Sequence, residues 1–368
     1  MQKRTFHVLG LAHTQTTKDF VHCAYTEKLR KFCRMMKGLG HTVYLYAGDE
    51  NDAPCDELIT CISREEQRKL IGMEKPTDNL MAKSDPTTVY WELFNTRCIT
   101  EIKKRAQPRD FIIVSFGTCQ KPVADAFPAM MSVEYGIGYE GTFSKFRVFE
   151  SYSWMHAIYG AQKGAGNANG DWYDAVIPNF FDPNDFPFEE KKDDYFLFIG
   201  RLTDRKGYQI AVDTCKAIGA KLVMAGQGTP PDGVDYRGVV GVKERGILMS
   251  KAKGVFVPTL YLEPFGGVSV EAMMCGTPII TTDWGAFVEN NLHGKTGYRC
   301  RTLEQFIFAA KNIGSIDPHA CRRWALNFSM EKVALMYQEY FDQLSDLWEK
   351  GWYTEKPREE LSWLSRDF

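Results

Sequence analysis

Short apolar runs, alternating with polar turns and helix-period stretches, constrain this chain more than any other feature. Residues 5–11 (TFHVLGL) read as a strand, and residues 12–19 as a polar loop. Tyr25, Leu29, Phe32, Cys33, Met36 and Leu39 then fall at helical spacing. Gly38 or Gly40 supplies a stop, and residues 41–47 (HTVYLYA) begin the next strand. Strand, helix, strand in that order is a βαβ unit, which requires parallel pairing. Residues 111–116, 130–134, 147–151 and 175–178 extend the series.

Residues 182–194 (DPNDFPFEEKKDD) are rich in Pro and charge and read as an interdomain linker. A second series follows, with strands at 195–199, 221–225, 254–258 and 277–281 and a helix at 209–218. The expected fold class is therefore α/β, with two Rossmann-like doubly wound domains facing across a cleft. They span residues 1–181 and 182–334, with the Trp- and Tyr-rich helical segment 335–368 packing back on the first. A chain of 368 residues is long enough for each to bury its own core. In such sheets ligands bind beyond the carboxyl ends of the strands.

A formal net charge of −2 gives no whole-chain field that would draw in nucleic acid or an anionic membrane. No run approaches the ~18 apolar residues of a membrane span. The opening MQKRTFHVLGLAH is too short and polar for a signal peptide, so a cytoplasmic location is expected. Ten scattered cysteines without a CxxC pair read as reduced, buried thiols and offer no metal-site spacing.

Two stretches carry chemistry. In FIGRLTDRKG, residues 198–207, a strand ends at Ile199 and Gly200 turns the chain. Arg201 and Lys206 follow, two cations at a strand's carboxyl end, which suits a diphosphate. In EPFGGVSVEAMMCGTPIITTDWGA, residues 263–286, Gly266 and Gly267 open a helix whose free N–H groups favour an anion. Glu271 lies about one turn into it, where a carboxylate can accept bonds from vicinal hydroxyls. Glu263 precedes it, placed to hold sugar hydroxyls. Taken singly, each stretch also fits a solvated loop or a capped helix with surface carboxylates.

Together they resemble the retaining glycosyltransferases of the GT-B fold, in particular glycosyltransferase family 4 (glycosyl transferases group 1). The matching residues are Gly200-Arg201, Lys206-Gly207, Glu263-Pro264-Phe265-Gly266, Glu271-Ala272 and Cys275-Gly276-Thr277-Pro278. Ile177-Pro178-Asn179, Asp182 and Phe186 resemble the family's linker, with Phe180 in place of its usual Gly. The resemblance implies a hexosyltransferase that takes a nucleoside diphosphate sugar as co-substrate, UDP-glucose by default. Arg201 and Lys206 would neutralise the leaving diphosphate. The amides of Gly266, Gly267 and Val268 would meet phosphate or sugar, Glu263 the sugar and Glu271 the ribose. Gly200, Gly226, Gln227 and Val242 would border the nucleotide. Such transfer needs charge stabilisation more than a nucleophile. No DxD motif sits at a strand end, so no metal or other cofactor is implied.

The first half departs from the family. Gly10-Leu11-Ala12 stands where the family has its Gly-Gly loop after the first strand, and Glu134 is one candidate for the position where the family has a His near the donor sugar. His156 is the other candidate. Residues 26–37 carry Lys28, Arg30, Lys31, Arg34 and Lys37 against Glu27, either a solvated face or a contact for an anionic acceptor. The acceptor expected against this half is a glycan, a lipid-linked sugar or modified DNA. Trp348, Trp352 and Trp363 are expected to pack across the N-terminal domain. The alternatives are a GT-B sugar-nucleotide epimerase and a non-catalytic sugar-nucleotide binding protein.

Overall fold

The computed structural model describes residues 3–20, 23–72, 84–164, 166 and 169–347. These form two compact units, one of residues 3–149, 163–177 and 334–347, the other of 150–162 and 178–333. Trp348, Trp352, Trp363 and part of the Gly-Asn stretch at 164–170 lie outside the described residues.

The N-terminal unit holds seven strands: β1 (Thr5–Leu9), β2 (Thr42–Gly48), β3 (Glu57–Ile62), β4 (Phe111–Val114), β5 (Met131–Ile137), β6 (Phe146–Phe149) and β7 (Ala175–Val176). Every pairing is parallel, in the order β3-β2-β1-β4-β5-β6-β7. The second unit holds β8 (Phe196–Ile199), β9 (Leu222–Ala225), β10 (Asp235–Tyr236), β11 (Gly254–Val257), β12 (Ile279–Thr282) and β13 (Gly297–Cys300). Its order is β10-β9-β8-β11-β12-β13, again all parallel. Renumbered from its first strand this is 3-2-1-4-5-6, the doubly wound order. In both units the strand order reverses where the first strand meets the fourth.

Both faces of such a sheet are covered, so its strands read as unbroken apolar runs. Leu197 and Ile199 of β8 join one core with Val223 and Val255, while Phe196 and Phe198 join another with Met224 and Phe256. The first helix runs Ala24–Gly38 and ends in left-handed Gly40, with Gly40 N–H donating to the Lys37 carbonyl at 3.0 Å.

The helix Met330–Leu347 seats in the N-terminal unit from Ala334 onward. Phe341, fully buried, meets Phe6 and Phe111 with ring centroids at 4.7 and 5.1 Å. Asp342 pairs with Arg4, and Tyr340 Oη donates to the Tyr173 carbonyl at 2.9 Å.

The Pro- and charge-rich stretch is packed into the second unit. Phe181 and Phe186 are buried, and Arg322 Nη1 donates to the Phe186 carbonyl at 3.0 Å. Lys192 Nζ spends its three protons on the Ser250 carbonyl (2.7 Å), the Cys275 carbonyl (3.2 Å) and Thr277 Oγ1 (2.9 Å). Burial lowers its pKa to about 8. Nine of the ten cysteines are buried, with Cys55 half-buried. No helix among the described residues is long and apolar enough to cross a membrane.

Candidate active site

Three loops leave the carboxyl ends of β9, β8 and β11, the strands around the order reversal of the second sheet. Main-chain bonds lace them together. Leu202 N–H donates to the Gln227 carbonyl at 2.8 Å, and Leu260 N–H to the Arg205 carbonyl at 2.9 Å. Two glycines permit this approach. A Cβ on Gly226, at φ 136°, would lie 1.8 Å from the Gly200 carbonyl oxygen; one on Gly207, at φ 68°, would lie 2.1 Å from that of Pro258. No side chain fits at either position.

The loop after β8 closes in a short turn, Asp204–Lys206, before the helix Tyr208–Ile218. Lys206 Nζ donates to Glu263 Oε2 at 2.8 Å, with side chains 24% and 13% exposed. The ammonium lies 4.9 Å from the Tyr261 ring centroid, as does the Arg205 guanidinium. Burial pulls the Lys206 pKa down, but the Glu263 carboxylate and the Tyr261 hydroxyl outweigh it, and the net shift is upward. Burial and then Glu263 push the Tyr261 phenol up. Lys206 is thus held as a cation in a half-dry site, where its charge acts more strongly than in water.

The helix Gly267–Met274 begins at Gly266, which is left-handed and gives no side-chain cap. Its first N–H groups therefore have no intrahelical acceptor. Val268, half-buried, is its second residue. Glu271 is 6% exposed and accepts from Arg245 Nη2 at 3.0 Å through Oε1. Its other oxygen, Oε2, is buried and has no hydrogen-bond partner among the described residues. Arg201 is exposed just past the end of β8, and Gln227 is exposed past β9. Val242 is the first residue of the helix Val242–Lys251, which also carries Arg245. The second unit therefore brings Lys206 and Glu263 into contact and puts Gly200, Arg201, Gly226 and Gln227 in the same laced loops. Arg245 and Tyr261 belong to these clusters although nothing in the local sequence marks them.

Gly10 and Glu134 belong to the N-terminal unit. Gly10 follows β1 and lies against β2, its N–H donating to the Tyr46 carbonyl at 2.7 Å. Glu134 is fully buried in β5. Its Oε1 accepts from the Phe143 and Ser144 N–H groups at 2.9 and 3.1 Å, and its Oε2 has no hydrogen-bond partner among the described residues. Burial raises its pKa to about 7, against the pull of those two amides. His156 is exposed on the helix Tyr152–Lys163. The basic helix Ala24–Gly38 spends part of its charge internally. Arg30 pairs with Glu27 and Asp52, and Lys37 with Asp56. It is a weaker anion-binding face than its own residues indicate.

Residues 181–305 match the family described as glycosyl transferases group 1. Over 174 residues the chain is 29% identical to the glycogen synthase of Mycobacterium tuberculosis (strain ATCC 25618 / H37Rv), a match covering 41% of this chain and 42% of that protein. The chain thus spans about two fifths of that relative's length. Among solved structures it resembles AviGT4, a glycosyltransferase involved in avilamycin A biosynthesis, with TM-score 0.66 and 17% identity over 93% of this chain and 98% of that one. It also resembles Anabaena HepE in complex with UDP-glucose, with TM-score 0.62 and 14% identity over 93% of this chain and 100% of that one. At these identities the structural likeness is one of fold. The chain thus has the two-sheet GT-B fold, and its residues 181–305 resemble glycosyl transferases group 1.

Proposed function

We propose that this chain is a family 4 glycosyltransferase that moves a hexose from a nucleoside diphosphate sugar, UDP-glucose by default, to an acceptor hydroxyl with retention and without a metal ion. The observation that carries the reading is the contact of Lys206 with Glu263 at the order reversal of the second sheet. It unites a charged lysine fit for a diphosphate and a carboxylate fit for sugar hydroxyls. The HepE structure, of the same fold, is a complex with UDP-glucose, which supports this choice of donor.

In this reading the donor's diphosphate replaces Glu263 as the partner of Lys206, with Arg201 beside it. Glu263 then turns to the hexose hydroxyls. The N–H groups of Gly266, Gly267 and Val268 face phosphate or sugar, and Glu271 takes the ribose. Gly200, Gly226, Gln227 and Val242 border the rest of the nucleotide. The bond from the anomeric carbon to the phosphate oxygen breaks while the acceptor oxygen bonds to the same face of that carbon. The departing phosphate oxygen takes the acceptor's proton. The two cations stabilise the charge that grows on the leaving group, so no protein nucleophile is required.

Product analysis tests this. UDP-glucose is incubated with the protein, with and without a panel of glycan, lipid-linked sugar and hydroxylated-DNA acceptors. The expected products are UDP and, with the right acceptor, an α-linked glucoside. A β-linked product would end the retaining assignment, and an epimerised sugar nucleotide formed without acceptor would replace transfer with epimerisation.

A further inference from the structure

We propose that Arg245 gives the nucleotide site its preference for ribose over 2′-deoxyribose, by holding one oxygen of Glu271 and offering its own Nε–H beside the other. The inference rests on the reading of Glu271 as the ribose carboxylate.

Arg245 lies in the first half of the helix Val242–Lys251, 26 residues before Glu271. The two helices are already joined nearby, where Cys275 Sγ donates to the Gly246 carbonyl at 3.6 Å. The arginine side chain is 30% exposed and the glutamate 8%. Only one bond joins them, Nη2 to Oε1 at 3.0 Å, although an arginine and a carboxylate often pair through two. Glu271 Oε2 and Arg245 Nε are both buried, and neither has a hydrogen-bond partner among the described residues. Such groups are rare in folded proteins because each is costly to bury.

The chemistry of these two atoms is specific. A carboxylate oxygen only accepts, and a guanidinium Nε–H only donates. A ligand that satisfies both must present a donor and an acceptor side by side. A phosphate has acceptors alone and would leave Oε2 facing like charge. Vicinal hydroxyls have both, one donating to Oε2 and the other accepting from Nε. Arg245 also fixes the rotamer of Glu271, so that Oε2 is aimed before any ligand arrives. Loss of the 2′-hydroxyl leaves one of the two atoms unmatched, and a site built to bond a hydroxyl rejects the analogue that lacks it.

Calorimetric titration of UDP and 2′-deoxy-UDP into wild type, Arg245→Met, Arg245→Lys and Glu271→Gln tests this, with GDP and ADP pairs used if UDP does not bind. Wild type is expected to prefer the ribonucleotide by about tenfold or more, the scale of a charge-assisted bond. Arg245→Met should bring that preference to about threefold or less. Arg245→Lys still reaches Oε1 but has no Nε–H, and should fall between. A folded Arg245→Met protein with undiminished preference would overturn the inference, while loss of preference in Glu271→Gln would leave the ribose reading standing. If the Met variant fails to fold, undiminished preference in Arg245→Lys overturns it equally. Failure of wild type to bind any of the three nucleoside diphosphates would bring down the donor-site reading and this inference with it.

Discussion

The two units share an all-parallel sheet order through six strands, yet they treat their strand ends in opposite ways. At the carboxyl ends in the N-terminal unit, buried amides close the main chain. Gln120 Oε1 accepts from the Ser115 and Phe116 N–H groups at 2.8 and 3.0 Å, while its Nε2 donates to the Gly10 carbonyl at 2.6 Å. Gln67 Nε2 donates to the Ala12 and Thr14 carbonyls, both at 3.0 Å, and its Oε1 takes Gln15 Nε2 at 2.8 Å. Rings fill the remaining space, with Phe116 stacked on Trp91 at 5.6 Å. In the second unit the equivalent loops present Lys206, Glu263 and Glu271, the last with a buried oxygen that has no hydrogen-bond partner among the described residues. One topology therefore supports a loop cluster closed by its own glutamines and another that presents charged side chains. The difference lies in side chains, which is why fold alone does not assign function.

Four substitutions break or sharpen this contrast. The largest effect is expected for Lys206→Ala, which should slow UDP release from UDP-glucose by ~100-fold or more, the size of losing one preorganised charge-stabilising group. Unchanged kcat and KM would remove Lys206 from the site. Gln120→Ala removes four bonds of the closed cluster, the fourth from Nε2 to the Leu9 carbonyl at 3.5 Å. It should cost about 2 kcal/mol in urea unfolding with UDP affinity unaltered, because three buried main-chain groups lose their partner. A variant that unfolds like wild type would show that the amide does not close those loops.

Glu134 comes next. Its pKa is raised from the ordinary carboxylate value to about 7, so the folded state binds the proton more tightly than the unfolded one. The protonated form's advantage is present at low pH and is lost as pH rises through about 7. Glu134→Gln keeps an oxygen for the Phe143 and Ser144 amides and never ionises. It should therefore be more stable than wild type above neutral pH, by on the order of 1–2 kcal/mol, with the difference vanishing near pH 4.5. Chemical denaturation at pH 5 and pH 8 measures it, and a pH-independent difference would contradict the buried-acid account. Full transfer activity in this variant would exclude Glu134 as a catalytic carboxylate. The smallest effect belongs to Glu271→Ala. It should raise the donor KM about tenfold while changing kcat less, because ribose binding is uniform along the reaction. A pure kcat defect would contradict the ribose role.

Much of the second unit was legible in the sequence. Its strands are buried on both faces, and FLFI, LVMA and GVFV announce that directly. Arg201, Lys206, Glu263 and Glu271 stand in the two stretches that carry the resemblance to the glycosyltransferase family. The strands without an apolar run to mark them, β3, β10 and β13, lie at sheet edges. β3 mixes exposed and buried residues, β10 is two residues long, and β13 carries Tyr298 and Arg299 half-buried between its ends. Arg245 and Tyr261 act through contacts made only when distant segments fold together, as do Gln67 and Gln120. A glutamine or arginine in a helix has no local signature that separates a buried partner from a solvated one. In the stretch 182–194, Pro and charge obscure Phe186 and Lys192, which fasten it to the second unit.

The most direct test of the central claim is a thermal-shift panel of UDP, GDP, ADP and their glucose, galactose and N-acetylglucosamine conjugates, run in EDTA on wild type and the Lys206→Ala, Glu271→Ala double variant. A ligand at ~100 times its Kd stabilises by roughly 2.7 kcal/mol, enough to see clearly. The account predicts that one nucleotide series raises the Tm of wild type and leaves the double variant unmoved. No shift with any of them, or an equal shift in both proteins, would contradict it.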